Sequence, residues 1–101
     1  MFTGIVQGIR KITLLSDIEG GSKIRIQLDD LSKYLVKGAS VAVNGVCLTA
    51  TKISNEWAEF DIIQETLNRS NLSALKSGDS VNIERACCYG DEVGGLSLIH
   101  I

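Results

Sequence analysis

Cys47 and Thr49 stand two residues apart in "VNGVCLT", residues 43–49, directly after an Asn-Gly turn signal. Residues two apart in a strand share a face, so a thiol and a hydroxyl would sit side by side. Near a turn, such a pair could line the mouth of a barrel and meet a ligand. It could equally be packing, since a buried Cys acts as a small hydrophobe and Thr suits strands. A nucleophile–base pair built on Cys47 or a Ser would need His100, the one imidazole in the sequence. Metal chemistry is not expected, with one His and no cysteine pair at ligand spacing. No glycine-rich phosphate loop occurs.

Three other stretches could carry function. "FDIIQETL", residues 60–67, passes from a strand into a turn or helix start. Its free amides and carbonyls could bond a heterocycle edge, or Glu65 and Thr66 could satisfy helix-end groups instead. "MFTGIV" places Gly4 inside a strand at the N-terminus. In a strand Gly usually marks a bulge or close packing, and that is the default here. The functional alternative is a backbone edge left open for a planar ligand. "ERACCYGDEVGG", residues 84–95, ends in glycines that could cross over a ligand or simply turn the chain. Cys87 and Cys88 read as packing or surface residues rather than a redox pair.

The elements that must position these groups have mostly period two. "SKIRIQLD" sets Ile24, Ile26 and Leu28 against Lys23, Arg25 and Gln27. "ASVAVNG", "EWAEFDII" and "DSVNIER" alternate likewise, and "FTGIVQG" and "RKITLLS" are rich in β-branched residues. These make six predicted strands, with "CLTATKI" continuing after the Asn44-Gly45 turn. Helical spacing is brief: Leu31, Tyr34 and Leu35 after Asp29 or Asp30, and Leu72 and Leu75 before Gly78. The order Leu35, Gly38, Ser40, Val41 recurs as Leu75, Gly78, Ser80, Val81, a repeated supersecondary unit. Short strands, frequent turns and no long helix predict an all-β fold. It should be a small closed six-stranded antiparallel barrel with one or two short helices.

The totals fit one domain of 101 residues, with 45% hydrophobic and 22% charged residues, too apolar for disorder. A net charge of −2 gives no footprint for nucleic acid or an anionic membrane. No stretch is apolar and long enough to span a bilayer, and "MFTGIVQG" lacks the features of a signal peptide. Three cysteines, two of them adjacent, fit free thiols in a reducing cytoplasm. The acceptor patterns at Asn68 and Asn71 are then chance matches in a turn region.

Assembled in order, "MFTGIVQG", "GASVAVNGVCLT", "FDIIQETL", "GDSVNIERA" and "GDEVGG" resemble the N-terminal barrel of the riboflavin synthase family, α-chain type. The resemblance reaches from the N-terminus to Gly95. It implies a transferase that dismutates two molecules of 6,7-dimethyl-8-ribityllumazine to riboflavin and 5-amino-6-(D-ribitylamino)uracil, in riboflavin biosynthesis, with no cofactor and no metal. It also implies a Greek-key order for the six strands, two similar barrels per full-length chain, one lumazine or flavin in each, and active sites formed between subunits of a homotrimer. Carried over by position, Gly4, Ile5 and Val6 would offer backbone contacts to the pteridine. Cys47, Leu48 and Thr49 would line the same pocket, and Asp61, Ile62, Ile63, Gln64, Glu65 and Thr66 would hold the ring edge and ribityl chain. Ser40 and Cys47 match family positions linked to activity, so they are the expected catalytic pair, acting by hydrogen bonding and polarisation. A non-catalytic lumazine- or flavin-binding protein of the same fold is the alternative, and a purely structural barrel a third reading.

The pattern departs after Gly95. The family continues with a His and then a Gly-His, but Leu96 follows here and Ile99 precedes His100, at a spacing one residue short. "LSLIHI" is what CTG-TCT-CTT-ATA-CAC-ATC encodes, a string resembling the mosaic end of a transposase sequencing adapter. The expectation is a lumazine-binding barrel over 1–95, a non-native tail over 96–101, and a second barrel not included in this sequence. Such a fragment is expected to bind one ligand, to form a homodimer through the surface a second barrel would cover, and to turn over little.

Overall fold

The computed structural model describes residues 2–86 and the backbone pairing of Glu92–Val93 with Leu96–Ser97. Cys87, Cys88, Gly94, Gly95 and His100 lie outside the described residues. Six strands are β1 (Gly8–Ile18), β2 (Gly21–Gln27), β3 (Ser40–Val43), β4 (Val46–Ile53), β5 (Trp57–Ile63) and β6 (Ser80–Arg85). They form a closed barrel in the order β1-β2-β5-β4-β3-β6. All neighbours are antiparallel. One short helix, α1 (Gln64–Arg69), follows β5 directly. Among the described residues no helix is long and apolar enough to cross a membrane.

The period-two pattern explains the core. Ile24, Ile26, Val41, Val43, Leu48, Ala50, Ala58, Phe60, Ile62, Val81 and Ile83 all point inside, with Ile12 and Leu28. Burying each large side chain contributes about 1.5–3 kcal/mol. Alternate residues face outward, and the site is built from those.

Strand membership differs from expectation at two places. Phe2–Gln7 is not a strand. Gly4 takes a φ of 81°, which turns the chain, and its amide bonds to a side chain instead of a strand. The sixth strand is Val46–Ile53, separated from β3 by a two-residue turn in which Asn44 and Gly45 both have positive φ, the geometry that hairpin twist favours. The predicted helix after Asp29 shrinks to a 3₁₀ turn, Asp29–Ser32, without a side-chain cap. Tertiary bonds override its spacing: the Leu28 and Asp29 amides both donate to the Glu56 carbonyl, and the Ser32 hydroxyl donates to the Asn55 carbonyl. Tyr34 is then 86% exposed and does not join Leu31 and Leu35.

The repeated order at Leu35 and Leu75 is a true structural repeat. The Gly38 amide donates to the Ala50 carbonyl and the Ala50 amide to the Ala39 carbonyl. The same pair of bonds joins Gly78 and Asp79 to Ile12. β1 is irregular between Ile12 and Leu14, and β4 between Ala50 and Lys52. Exchanging β1 with β4, β2 with β5 and β3 with β6 leaves the ring order unchanged. The barrel is therefore two strand–strand–turn–strand halves related by a local two-fold. Arg25 and Glu59 face each other across β2 and β5 and form an ion pair at 2.6 Å.

Candidate functional site

Along β4, Leu48 and Ala50 turn inward, which leaves Cys47 and Thr49 exposed outside. The register sets Thr49 opposite Ser40 and Cys47 opposite Ala42 on β3. Glu84 on β6 lies opposite Ala42 in turn. Cys47, Ala42 and Glu84 thus form a row across three strands, on the order of 10 Å long at ordinary strand spacing.

A cavity of about 430 Å³ opens at the Cys47 end of this row. Gly45, Val46 and Cys47 form one wall, and Glu65, Thr66, Arg69 and Ser70 the other. The start of α1 has no side-chain cap, so Glu65 and Thr66 are not engaged as the capping alternative required. Glu65 instead meets Arg69, four residues on, at 3.2 Å. That places a carboxylate, a guanidinium and two hydroxyls around a space that also has an apolar wall, suited to a heterocycle with a polar chain.

At the other end of the row, the carboxylate of Glu84 gathers the N-terminal segment. It accepts from the Thr3 amide at 2.6 Å, the Thr3 hydroxyl at 2.8 Å and the Gly4 amide at 3.1 Å. Burial alone would raise its pKa and is the largest single influence, but the bonds from Thr3 and Gly4 together outweigh it and hold the carboxyl below the usual glutamate range. The folded value thus lies below the unfolded one. The ionised carboxylate favours the docked segment above the ordinary glutamate range, and that contribution is lost as pH falls through the lowered value.

Not every expected residue meets at one place. Cys47, Glu65 and Thr66 share the cavity, and Thr49 lies on the same outer face. Ser40 also lies on that face but lines a separate cavity of about 430 Å³ with Tyr34, Val36 and Arg85. The side chains of Leu48 and Ile62 are buried in the core, so only their backbones can face a ligand. Asp61 sits opposite Lys23 and pairs with it at 3.8 Å. Gln64 gives its amide to the Gly20 carbonyl and its side chain to Asn68. Ile5, Val6 and Ile63 are exposed apolar residues. Arg69, Ser70 and Glu84 escaped the sequence reading. The i, i+4 spacing of Glu65 and Arg69 was the available signal for the first; nothing local marks Glu84, whose partners are 80 residues or more away.

Gly4 offers a clean test of the segment's conformation. Among the described residues a Cβ there would meet nothing within 4 Å, so its cost comes from φ. Gly4→Ala should therefore weaken docking of the segment by about 1 kcal/mol. A ligand that rests on the segment should then bind about fivefold more weakly in a titration.

The fold is thus a closed six-stranded antiparallel β-barrel that carries Cys47, Thr49 and Glu84 on its outer face, with a cavity beside Cys47. The model of the lumazine binding domain matches residues 3–86. The chain belongs to the lumazine-binding domain family. It is 46% identical over 96 residues to the riboflavin synthase of Escherichia coli (strain K12), covering 94% of this chain and 45% of that protein. It is 39% identical over 97 residues to the riboflavin synthase of Mycobacterium tuberculosis (strain ATCC 25618 / H37Rv), covering 94% and 48%. The chain thus spans about half the length of the curated relatives it matches. The crystal structure of LumP complexed with riboflavin superposes with a TM-score of 0.81 and 33% identity, over 93% of this chain and 51% of that one. LumP complexed with 6,7-dimethyl-8-(1'-D-ribityl) lumazine gives 0.77 and 34%, over 85% and 49%.

Proposed function

We propose that the outer face between the N-terminal segment, β4 and α1 holds one lumazine or flavin, and that this chain is the N-terminal barrel of a riboflavin synthase. The observation that carries this is the cavity between Cys47 and Glu65–Thr66, in a domain related to proteins solved with lumazine and riboflavin. In this reading Gly4, Ile5 and Val6 contact the pteridine, and the backbone of Leu48 lies beside Cys47 and Thr49. Residues 61–66 hold the ring edge and the ribityl chain, with Glu65 and Thr66 facing the cavity. Cys47 polarises the bound ring by hydrogen bonding, and Ser40, although it lines the separate cavity, does so from β3 where the ligand extends past Thr49.

The reaction is the dismutation of two 6,7-dimethyl-8-ribityllumazines, with transfer of a four-carbon unit to give riboflavin and 5-amino-6-(D-ribitylamino)uracil. Its main physical demand is orientation. Two heterocycles stacked so that donor and acceptor carbons meet lose most of the entropic barrier beforehand. The substrate's acidic methyl group and electrophilic ring supply the reactivity, so the protein needs only to position, desolvate and move protons. No metal or cofactor enters this scheme.

One barrel supplies one binding site, and turnover needs a second. The full-length protein is proposed to be a cytoplasmic homotrimer, and this chain alone a weakly active binder able to dimerise. The tail 96–101 is proposed to be translated adapter, which resequencing the source DNA across the Gly95 codon decides. The related LumP structures favour a second reading, a non-catalytic flavin binder.

Titration of the purified chain with riboflavin, followed by flavin fluorescence, is expected to saturate at one ligand per chain. No saturable binding would leave only a structural barrel. The product of the uninterrupted gene should form riboflavin from the lumazine, whereas a pure binder would not. Rapid riboflavin formation by the 101 residues alone would contradict the need for a second barrel.

A further inference from the structure

Glu84 is a buried carboxylate, 7% exposed, on the outward-facing side of a strand. No ion pair reaches it among the described residues. Its neighbours across and along the sheet carry no cation toward it: Ala42 lies opposite, Asn82 is uncharged, and the Arg85 guanidinium bonds the carbonyls of Leu31 and Lys33. The charge is balanced instead by donors from Thr3 and Gly4. Successive amides turned toward one anion form a small anion-binding concavity, and the positive φ of Gly4 is part of that turn.

The segment depends on this contact. Among the described residues, Phe2 to Val6 make no backbone–backbone hydrogen bond; the first is from the Gln7 amide to the Ile83 carbonyl. The Gln7 side chain then accepts from the Arg85 amide. So Gln7 pins one end of the segment and Glu84 the other. Between them Ile5 and Val6 are held at the surface, about half exposed, where the barrel core gains little from them.

We propose that Glu84 is a positioning residue: by gathering the Thr3 and Gly4 amides and the Thr3 hydroxyl, it fixes where Ile5 and Val6 present themselves to the bound heterocycle. This rests on the reading of the outer face as a lumazine or flavin site. Glu84 touches no ligand in this scheme. It acts through the segment, and a ligand that contacts the segment in turn strengthens the segment's hold on Glu84.

The test compares wild type, Glu84→Gln and Thr3→Val. Amide hydrogen exchange reads the clamp at Thr3 and Gly4, with the amides of Ile24 and Phe60 reporting the barrel. Flavin fluorescence reads riboflavin affinity. Glu84→Gln keeps the shape but removes the charge and one acceptor. It should speed exchange at Thr3 and Gly4 about tenfold, leave Ile24 and Phe60 protected, and weaken riboflavin binding about tenfold. Thr3→Val removes the hydroxyl that donates to Glu84 and accepts from the Ile5 amide, leaves the Thr3 and Gly4 amides on the carboxylate, and should weaken binding about threefold. Riboflavin should slow the Thr3 and Gly4 exchange in wild type more than in Glu84→Gln. Unchanged exchange at Thr3 and Gly4 in Glu84→Gln overturns the clamp. Released amides with unchanged riboflavin affinity overturn its role in binding. Failure of the wild type to bind riboflavin at all would instead sink the binding reading and the ligand half of this proposal, while the exchange data still decide the clamp.

Discussion

Gly21→Ala should unfold the chain at temperatures where the wild type is folded. A Cβ on Gly21 would stand 1.9 Å from the carbonyl oxygen of Ile62 and 3.0 Å from the Cα of Ile63. Both are backbone atoms of β5, so no side chain can swing aside. Gly21 pairs with Ile63 on one side and Ile18 on the other, so the ladder would have to part at the first pair of β2. That pair also anchors the approach to the site, because the Gln64 amide bonds the Gly20 carbonyl as the chain leaves β5 for α1. We expect a loss of about 3 kcal/mol, the upper range for overpacking. For a domain of this size that lowers the melting temperature by roughly 12 °C or more in a circular dichroism melt. Gly20→Ala is the control: a Cβ there meets nothing, and only its φ of 80° is disfavoured. It should cost about 1 kcal/mol. Equal melting of the two variants would mean that the β2–β5 approach is not tight at Gly21.

The Gly20-Gly21 pair also shows how much of the fold can be read from the sequence. The dipeptide marks a turn, and a turn is there, but the second glycine is required by its β5 neighbours Ile62 and Ile63 rather than by the turn. Period two located the inward face of β2, β3, β5 and β6 because alternation is a property of each strand alone. The Asn44-Gly45 hairpin was legible for the same reason. The strand-like composition of residues 2–7 misleads because the segment's conformation depends on Glu84, whose side chain arrives from the far end of the chain. Helical spacing after Asp29 failed likewise, since bonds to the Asn55 and Glu56 carbonyls draw that turn elsewhere. In the candidate site, strand periodicity alone places Cys47 and Thr49 on one face, and both are exposed there. Their proximity to Glu65 and Thr66, and the parting of Ser40 into another cavity, follow from ring order and loop paths that no local pattern encodes.

The largest functional effect is expected from filling the space beside Cys47. Its side chain is exposed on the outer face and borders the cavity, so Cys47→Trp would occupy the place proposed for the ligand without entering the core. Stability should change by no more than about 0.5 kcal/mol, as for other surface substitutions. Riboflavin affinity should fall by about 100-fold or more, near 2.7 kcal/mol, because a rigid indole cannot leave room for a second ring system. Cys47→Ser keeps the volume and should bind within about threefold of wild type. The pair separates occupancy from chemistry: Cys47→Trp tests where the ligand lies, and Cys47→Ser in the full-length protein tests whether the thiol helps turnover. An independent arm uses the thiol itself. With Cys87 and Cys88 replaced by Ser, saturating riboflavin should slow alkylation of Cys47 about tenfold, since a ligand in the cavity covers the sulfur. If Cys47→Trp bound riboflavin as tightly as wild type and the ligand left alkylation unchanged, the site would have to move off the β4–α1 cavity. The outer face near Ser40 would then be the surface to examine, because this row of strands adjoins a second described cavity there.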